Sequence, residues 1–138
     1  MKFEGGCYCG ALRYAVDGEP VFKAQCHCRP CQYASGGGAN YFMTFPSSAL
    51  RFTKGEPQSF SRSDIDGAVT RLFCGVCGTQ LASRNPLYTG LTVAKVGTMD
   101  DPSLYDGPRA AIVVKDMQAF HHIADGLPTM DGLPPARR

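Results

Sequence analysis

The sequence lacks a strong charge imbalance, a long apolar run and an even number of cysteines. Fourteen Lys and Arg residues against twelve Asp and Glu residues give a net charge of +2. A nucleic-acid-binding protein needs a dense stripe of basic side chains. Here the only basic cluster is Arg137–Arg138, which we interpret as a solvated tail. The charge pattern therefore argues against nucleic acid as a partner.

Long apolar segments are also absent. No stretch approaches the roughly 20 apolar residues of a membrane-spanning helix, so no membrane partner is expected. The first ten residues, MKFEGGCYCG, hold Gly and Cys where a signal peptide would have its apolar run. We therefore expect a cytoplasmic protein, in a compartment where thiols stay reduced. Seven cysteines would leave one unpaired after a full set of disulfides, and both observations favour metal binding.

Turn residues and short alternating segments are abundant. Sixteen Gly and ten Pro among 138 residues favour short strands over long helices. Single helical turns are predicted within 28–35 and 101–105. We predict one mainly β domain of short antiparallel strands over residues 1–128, with an irregular tail over residues 129–138. The predicted strands are 11–16, 21–25, 40–45, 51–53, 58–62, 68–73, 91–96 and 110–115.

The cysteines fall into three tight groups. These are a C-x-C pair, a C-H-C-x-x-C group and a C-x-x-C pair: Cys7 and Cys9; Cys26, Cys28 and Cys31; Cys74 and Cys77. Alternate residues of an extended chain point the same way, so C-x-C presents two sulfurs to one point. C-x-x-C forms a tight turn, which a following glycine such as Gly78 permits. Both geometries are typical of zinc sites, in which zinc takes four ligands.

The simplest partition gives one complete zinc site to the two pairs, Cys7 and Cys9 with Cys74 and Cys77. This site would link the first strand to a segment about 70 residues later and would stabilise a small β domain. The alternative pairs Cys7 and Cys9 with Cys28 and Cys31.

The remaining group, Cys26, Cys28 and Cys31, supplies only three ligands. Three protein ligands and an open fourth position are typical of catalytic zinc, because the open position takes water or substrate. We therefore hypothesise an open zinc site at these three residues. A redox-active Cys28–Cys31 pair and a second structural zinc completed by a histidine are the alternatives.

The three histidines are weaker candidates for a role at the metal sites than the cysteines. His27 lies between two cysteines on a chain expected to be extended, so its ring should point away from the metal. His121 and His122 follow a predicted strand. Either is a candidate fourth ligand or proton shuttle, with plain packing as the competing interpretation.

Taken together, three motifs resemble the glutathione-dependent formaldehyde-activating enzyme family (Gfa, or CENP-V/GFA). They are Gly6-Cys7-x-Cys9-Gly10, Cys26-His27-Cys28-x-x-Cys31 and Phe73-Cys74-x-x-Cys77-Gly78. The resemblance runs from about Phe3 to Pro128 and includes the segment from Phe120 to Ile123. It implies an all-β, Mss4-like fold. It also implies a structural zinc on Cys7, Cys9, Cys74 and Cys77, and a second zinc on Cys26, Cys28 and Cys31.

The resemblance also implies an activity, the joining of formaldehyde and glutathione to S-hydroxymethylglutathione, which is a carbon–sulfur lyase reaction in reverse. A zinc ion with three thiolates carries a formal charge of −1, so it would hold a thiolate better than it would polarise a carbonyl. A small thiol such as glutathione and a small electrophile are therefore the expected substrates. Because no acid or base residue stands out, a non-catalytic zinc scaffold that binds a thiol metabolite or a protein partner is the alternative.

Overall fold

The computed structural model describes residues 1–136, and the predicted basic tail pair Arg137–Arg138 lies outside them. The helix α1 spans Arg29–Ala34. No helix in residues 1–136 is long and apolar enough to cross a membrane. The strands within this range are β1 (Lys2–Gly6), β2 (Arg13–Asp17), β3 (Phe22–Cys26), β4 (Asn40–Pro46), β5 (Leu50–Lys54), β6 (Gln58–Phe60), β7 (Thr70–Phe73), β8 (Gln80–Arg84), β9 (Leu91–Lys95) and β10 (Ala110–Ile112).

The strands form two sheets. One has three strands in the order β1-β2-β5, and the other has seven in the order β10-β3-β4-β9-β8-β7-β6. The predicted mainly β, single-domain fold is confirmed. Its strands are antiparallel with one exception, since β10 runs parallel to β3. This parallel pair suits the apolar composition of Ala110–Ile112, all of which is buried.

Strand β4 shows how the larger sheet uses its two faces. Alternate residues of a strand point to opposite faces, and Met43 and Phe45 face the three-stranded sheet in the main core. The rings of Phe45 and Phe3 are 5.8 Å apart, which joins the two sheets directly. Phe42 points the other way and packs in a smaller core with Ile112. The second face of the sheet is therefore available to line a site.

Two strands were not predicted from the sequence. Strand β1 contains Gly5 and Gly6, which weaken strand propensity. A Cβ atom at Gly5 would lie 2.3 Å from the carbonyl oxygen of Thr98, so close packing requires glycine there. Strand β8 has Leu81 and Ala82 buried in succession, which removes the alternation that a sequence pattern detects.

The ends of several elements have identifiable causes. The predicted strand 110–115 ends at Ile112 because Val113 adopts a left-handed backbone (φ 53°) and a 3-10 turn follows over Val114–Asp116. The predicted turn at 28–35 is confirmed as α1. The predicted turn at 101–105 is also confirmed, as a 3-10 helix over Pro102–Tyr105 with Asp101 as its N-cap.

Candidate metal centres and the adjoining cavity

The four-cysteine cluster consists of Cys7, Cys9, Cys74 and Cys77 and joins the end of β1 to the end of β7. The Sγ atoms of Cys7 and Cys9 are 3.6 Å apart, and those of Cys9 and Cys74 are 3.8 Å apart. A tetrahedron with metal–sulfur bonds of about 2.3 Å has edges of about 3.8 Å. All four Sγ atoms lie within 4.8 Å of one another, so this cluster could hold one tetrahedral metal ion.

Backbone groups of the Cys74–Cys77 turn point at the sulfur of Cys74. The N–H groups of Val76 and Cys77 lie 3.4 and 3.5 Å from its Sγ atom. The turn is closed by Gly78, whose N–H donates to the carbonyl of Cys74 at 2.9 Å. The turn therefore fixes the position of the Cys74 sulfur beside the other three.

Thr79 forms part of the four-cysteine cluster's surroundings, and the sequence did not indicate this role. Its Oγ1 atom lies 3.1 Å from the Sγ atom of Cys77 and accepts a hydrogen bond from the N–H of Tyr8 at 3.2 Å. Hydrogen bonds from Thr79 lower the pKa of Cys77 to about 5. Thr79 therefore links the two cysteine pairs and favours a thiolate, the form that binds metal.

The three-cysteine cluster consists of Cys26, Cys28 and Cys31, whose Sγ atoms also lie within 4.8 Å of one another. Cys26 ends β3, Cys28 is the N-cap of α1 and Cys31 lies in the first turn of that helix. The N–H of Cys31 donates to the Sγ atom of Cys28 at 3.3 Å. The change from strand to helix therefore brings three sulfurs to one point. Cys28 and Cys31 lie with Cys26, and not with Cys7 and Cys9 as in the alternative pairing.

Mutual hydrogen bonds separate the pKa values of the thiols in the three-cysteine cluster. Hydrogen bonds from the thiols of Cys26 and Cys31 lower the pKa of Cys28 to about 3, and the Cys28 bond raises the pKa of Cys26. A buried cation lies nearby, since Lys95 is only 8% exposed and its Nζ atom donates to Oδ1 of Asn40 at 2.7 Å. Burial lowers the pKa of Lys95, and the charge of Cys31 acts against this shift.

A cavity of about 980 Å³ adjoins the three-cysteine cluster, and all three of its cysteines line it. The walls include the second face of the large sheet, represented by Phe22, Phe42 and Val93. Within residues 1–136, no member of the four-cysteine cluster lines this cavity. The two clusters therefore differ in surroundings as well as in ligand number.

His27 points away from the sulfurs, as expected, and belongs to a buried hydrogen-bonded chain. Its Nε2 atom lies 2.9 Å from Nε2 of Gln25, and its Nδ1 atom lies 3.0 Å from Nδ1 of His121. His121 Nε2 donates to the carbonyl of Gly37 at 2.8 Å, and its Nδ1 accepts from the N–H of Gln118 at 3.1 Å. His27 must therefore donate from Nδ1 and accept at Nε2. Packing, rather than metal ligation, accounts for both rings.

A comparison with protein-family models matches residues 2–116 to the family described as glutathione-dependent formaldehyde-activating enzyme. This match includes all seven cysteines. The chain belongs to this family. The match ends before the Phe120–Ile123 segment, so the resemblance expected through Pro128 extends beyond the part that the family model covers.

Two individual proteins are similar to this family member. A Halomonas elongata protein with the provisional name of glutathione-dependent formaldehyde-activating enzyme is 32% identical over 97 residues, covering 66% of this chain and 61% of that protein. The chain therefore aligns with less than two thirds of that relative's length. A crystal structure of a Rhodobacter sphaeroides protein has a TM-score of 0.61 at 18% identity, covering 76% of this chain and 96% of that one. The latter likeness shows the fold alone.

The cationic residues of the cavity are Arg71 and Lys115, which no sequence spacing indicated. Arg29, at the start of α1, does not line the cavity. Arg29 lies over the ring of Tyr33 at 5.0 Å. The register of β7 brings Arg71 to the cavity face, and the turn after β10 places Lys115 there. Register between distant strands carries no local sequence signal.

Proposed function

We propose that this protein is a zinc-dependent enzyme of the carbon–sulfur lyase type. It joins a small thiol such as glutathione to formaldehyde or another small electrophile, and it cleaves the adduct in the reverse direction. The four-cysteine cluster (Cys7, Cys9, Cys74, Cys77) holds a structural zinc. The three-cysteine cluster (Cys26, Cys28, Cys31) holds a second zinc with one open position. We place this chemistry in the cytoplasm, where thiols stay reduced.

One observation carries the proposal: the cluster that lacks a fourth cysteine is the one that opens into the cavity. A closed structural site has no need of access, whereas a catalytic site must admit a substrate. Zinc bound by three thiolates would accept a thiol at its fourth position and favour loss of the thiol proton. The family membership and the name of the Halomonas elongata relative support the same substrate class.

The residues of this chain bind and orient the reactants. Arg71 and Lys115 offer positive charge to the carboxylates of a glutathione-like thiol. In adduct formation, an electron pair of the thiolate sulfur forms a bond to the carbonyl carbon, and the carbonyl oxygen takes up the proton that the thiol released. Cleavage reverses both transfers, so no oxidant or reductant is needed. The rate gain comes mainly from holding the two reactants together.

Metal analysis and turnover of the Cys31→Ser variant test the proposal. Protein purified without added metal should contain two zinc ions per chain, and Cys31→Ser should contain one. Cys77→Ser, in the other cluster, is the matched control and should also lose one ion. Adduct formation from formaldehyde and glutathione, corrected for the spontaneous rate, should fall to background in Cys31→Ser. Retention of both ions or of turnover in Cys31→Ser would contradict the proposal.

Two further outcomes separate the alternatives. Two bound zinc ions with a corrected rate of zero across a panel of aldehydes and thiols would favour a non-catalytic scaffold that binds a thiol metabolite or a protein partner. A redox role predicts a Cys28–Cys31 disulfide that blocks metal binding. Thiol counting before and after a reductant would detect it as a gain of two thiols per chain.

A further inference from the structure

Residues 128–135, here called the strap, run beside the edge of the large sheet. The N–H of Ala111 donates to the carbonyl of Pro128 at 2.9 Å, and the N–H of Met130 donates to the carbonyl of Ala111 at 2.9 Å. The N–H of Val113 donates to the carbonyl of Gly132 at 3.2 Å. The strap lies beyond residue 116, where the family match ends. It is hydrogen-bonded to β10 through Ala111 and to Val113, the residue that follows β10.

The strap then crosses to the opposite wall of the cavity. The Oη atom of Tyr88 donates to the carbonyl of Pro134 at 2.5 Å. Tyr88 belongs to the turn between β8 and β9, whereas β10 lies at the far edge of the same sheet. Leu133, Pro134 and Pro135 line the cavity on the way. The strap thus forms one wall of the space into which the three-cysteine cluster opens.

The cavity is too large and too apolar for formaldehyde alone. A water molecule occupies about 30 Å³ in the liquid, and formaldehyde has only two heavy atoms. A cavity of about 980 Å³ is at the upper end of the range that holds drug-sized ligands. Sheet residues such as Phe22, Phe42 and Val93 give it apolar walls, and Leu87 and Leu133 lie half-exposed among its lining residues. This part of the lining favours an apolar group, because a polar group placed against it would lose hydrogen bonds to water without replacement.

We propose that the cavity holds the apolar substituent of an aldehyde larger than formaldehyde, and that the strap, through Leu133 and Pro134, is the wall that determines this preference. The inference rests on the carbon–sulfur lyase function proposed above. The reacting thiol is at the three-cysteine cluster, and the substituent of the carbonyl carbon extends along the apolar wall. The bond that forms and breaks is the same carbon–sulfur bond, with the same proton transfer to and from oxygen.

The kinetic test compares aldehydes of increasing length at fixed glutathione, each corrected for its spontaneous rate. Burial of each added methylene should raise kcat/KM about threefold to fourfold over the first few carbons, so hexanal should exceed formaldehyde. Leu133→Ala should lower the ratio of kcat/KM for hexanal to kcat/KM for formaldehyde about tenfold. Met130→Ala is the matched control, because Met130 lies in the strap but does not line the cavity, and it should leave the ratio unchanged. An equal ratio in wild type and Leu133→Ala would overturn the inference.

A binding test separates this inference from the lyase function. Calorimetry on the metal-loaded protein compares two unreactive thioethers, S-hexylglutathione and S-methylglutathione. Wild type should bind S-hexylglutathione at least about tenfold more tightly than S-methylglutathione. Leu133→Ala should reduce this difference in affinity. No turnover with any aldehyde but a retained hexyl preference would contradict the lyase function and support the apolar wall. If wild type binds the hexyl and methyl compounds equally tightly, the proposal of an apolar wall is wrong, whether or not the protein turns over any aldehyde.

Discussion

Single residues behind the three-cysteine cluster tie distant segments together through a chain of hydrogen bonds. His27 follows Cys26 in sequence and is fully buried, and its Nδ1–H donates to His121. His121 in turn donates to the carbonyl of Gly37, in the loop after α1. A buried donor that loses its partner costs about 1–3 kcal/mol. The geometry of the cluster therefore depends on residues that contribute no ligand.

We predict that His121→Ala lowers the free energy of unfolding by about 1–3 kcal/mol, because it leaves Nδ1–H of His27 and the carbonyl of Gly37 without their partner. Urea denaturation of the metal-loaded protein measures this. His122→Ala is the matched control, since the side chain of His122 is exposed and only its carbonyl accepts a hydrogen bond, from Gln25. It should change stability by less than about 0.5 kcal/mol. Equal effects of the two variants would contradict the argument.

The buried ammonium of Lys95 gives a second prediction. It neighbours thiols that carry negative charge once they bind metal, and it is held by Oδ1 of Asn40. Lys95→Met should weaken metal binding at the three-cysteine cluster by about tenfold, or ~1.4 kcal/mol, because the attraction is lost in a poorly solvated place. Competition with a chromogenic chelator measures the affinity.

Lys54→Met is the control for Lys95→Met. Lys54 is an exposed lysine that donates to the carbonyl of Gly10, beside the other cluster. Because solvent screens an exposed charge, Lys54→Met should leave the affinity of both clusters within about twofold. A Lys95→Met variant with wild-type affinity would show that the charge of Lys95 does not act on the sulfurs.

Among the elements, strands with clear alternation were predictable and those set by packing were not. The 91–96 segment alternates, and the structure has β9 at Leu91–Lys95. Strand β1 was missed because Gly5 serves a close contact with Thr98 that only the folded molecule contains. The end of β10 was misplaced because Val113 takes a left-handed conformation that valine rarely adopts. Sequence patterns report local preference, and tertiary packing overrides it at these positions.

Two glycines in turns between strands should differ in how much stability is lost when each is replaced by alanine. Gly55, which follows β5, and Gly90, which precedes β9, have φ angles of 70° and 80°. A Cβ at Gly55 would lie 2.5 Å from the carbonyl oxygen of Ala11, whereas nothing lies within 4 Å of one at Gly90. Gly90→Ala should cost about 1–2 kcal/mol, the backbone strain alone. Gly55→Ala should cost at least about 1 kcal/mol more. Chemical denaturation compares them, and a smaller cost at Gly55 would contradict the packing argument.

For the molecule as a whole, the sequence predicted the cysteine clusters better than it predicted the cavity. Pairs such as Cys74 and Cys77 are brought together by local chain geometry, which spacing records. The cavity is lined by residues of β3, β4, β7, β8 and β9, of α1, of the turns after β8 and β10, and of the strap. Its charged residues Arg71 and Lys115 arrive there through strand register, which depends on the complete sheet. For this reason the residues that line the cavity could not be predicted from the sequence.

The two clusters should contribute unequally to global stability. The four-cysteine cluster joins the three-stranded sheet to the seven-stranded sheet, whereas the three-cysteine cluster lies within β3 and α1. Cys77→Ser should therefore release one sheet from the other, and Cys28→Ser should loosen only a local segment. These are matched changes, since neither side chain is fully buried and serine is nearly isosteric with cysteine. Serine is a poor zinc ligand, so each variant weakens its own site.

We expect Cys77→Ser to lower the unfolding midpoint by at least about 10 °C, which corresponds to a loss of roughly 3 kcal/mol for a domain of this size, and Cys28→Ser to lower it by less than half as much. Calorimetry measures the midpoints. Hydrogen exchange should show lost protection in β1, β2 and β5 for Cys77→Ser alone, because only that variant frees the smaller sheet. Retained protection of β1, β2 and β5 in Cys77→Ser would mean that the sheets are held together by the Phe3–Phe45 core contact rather than by metal.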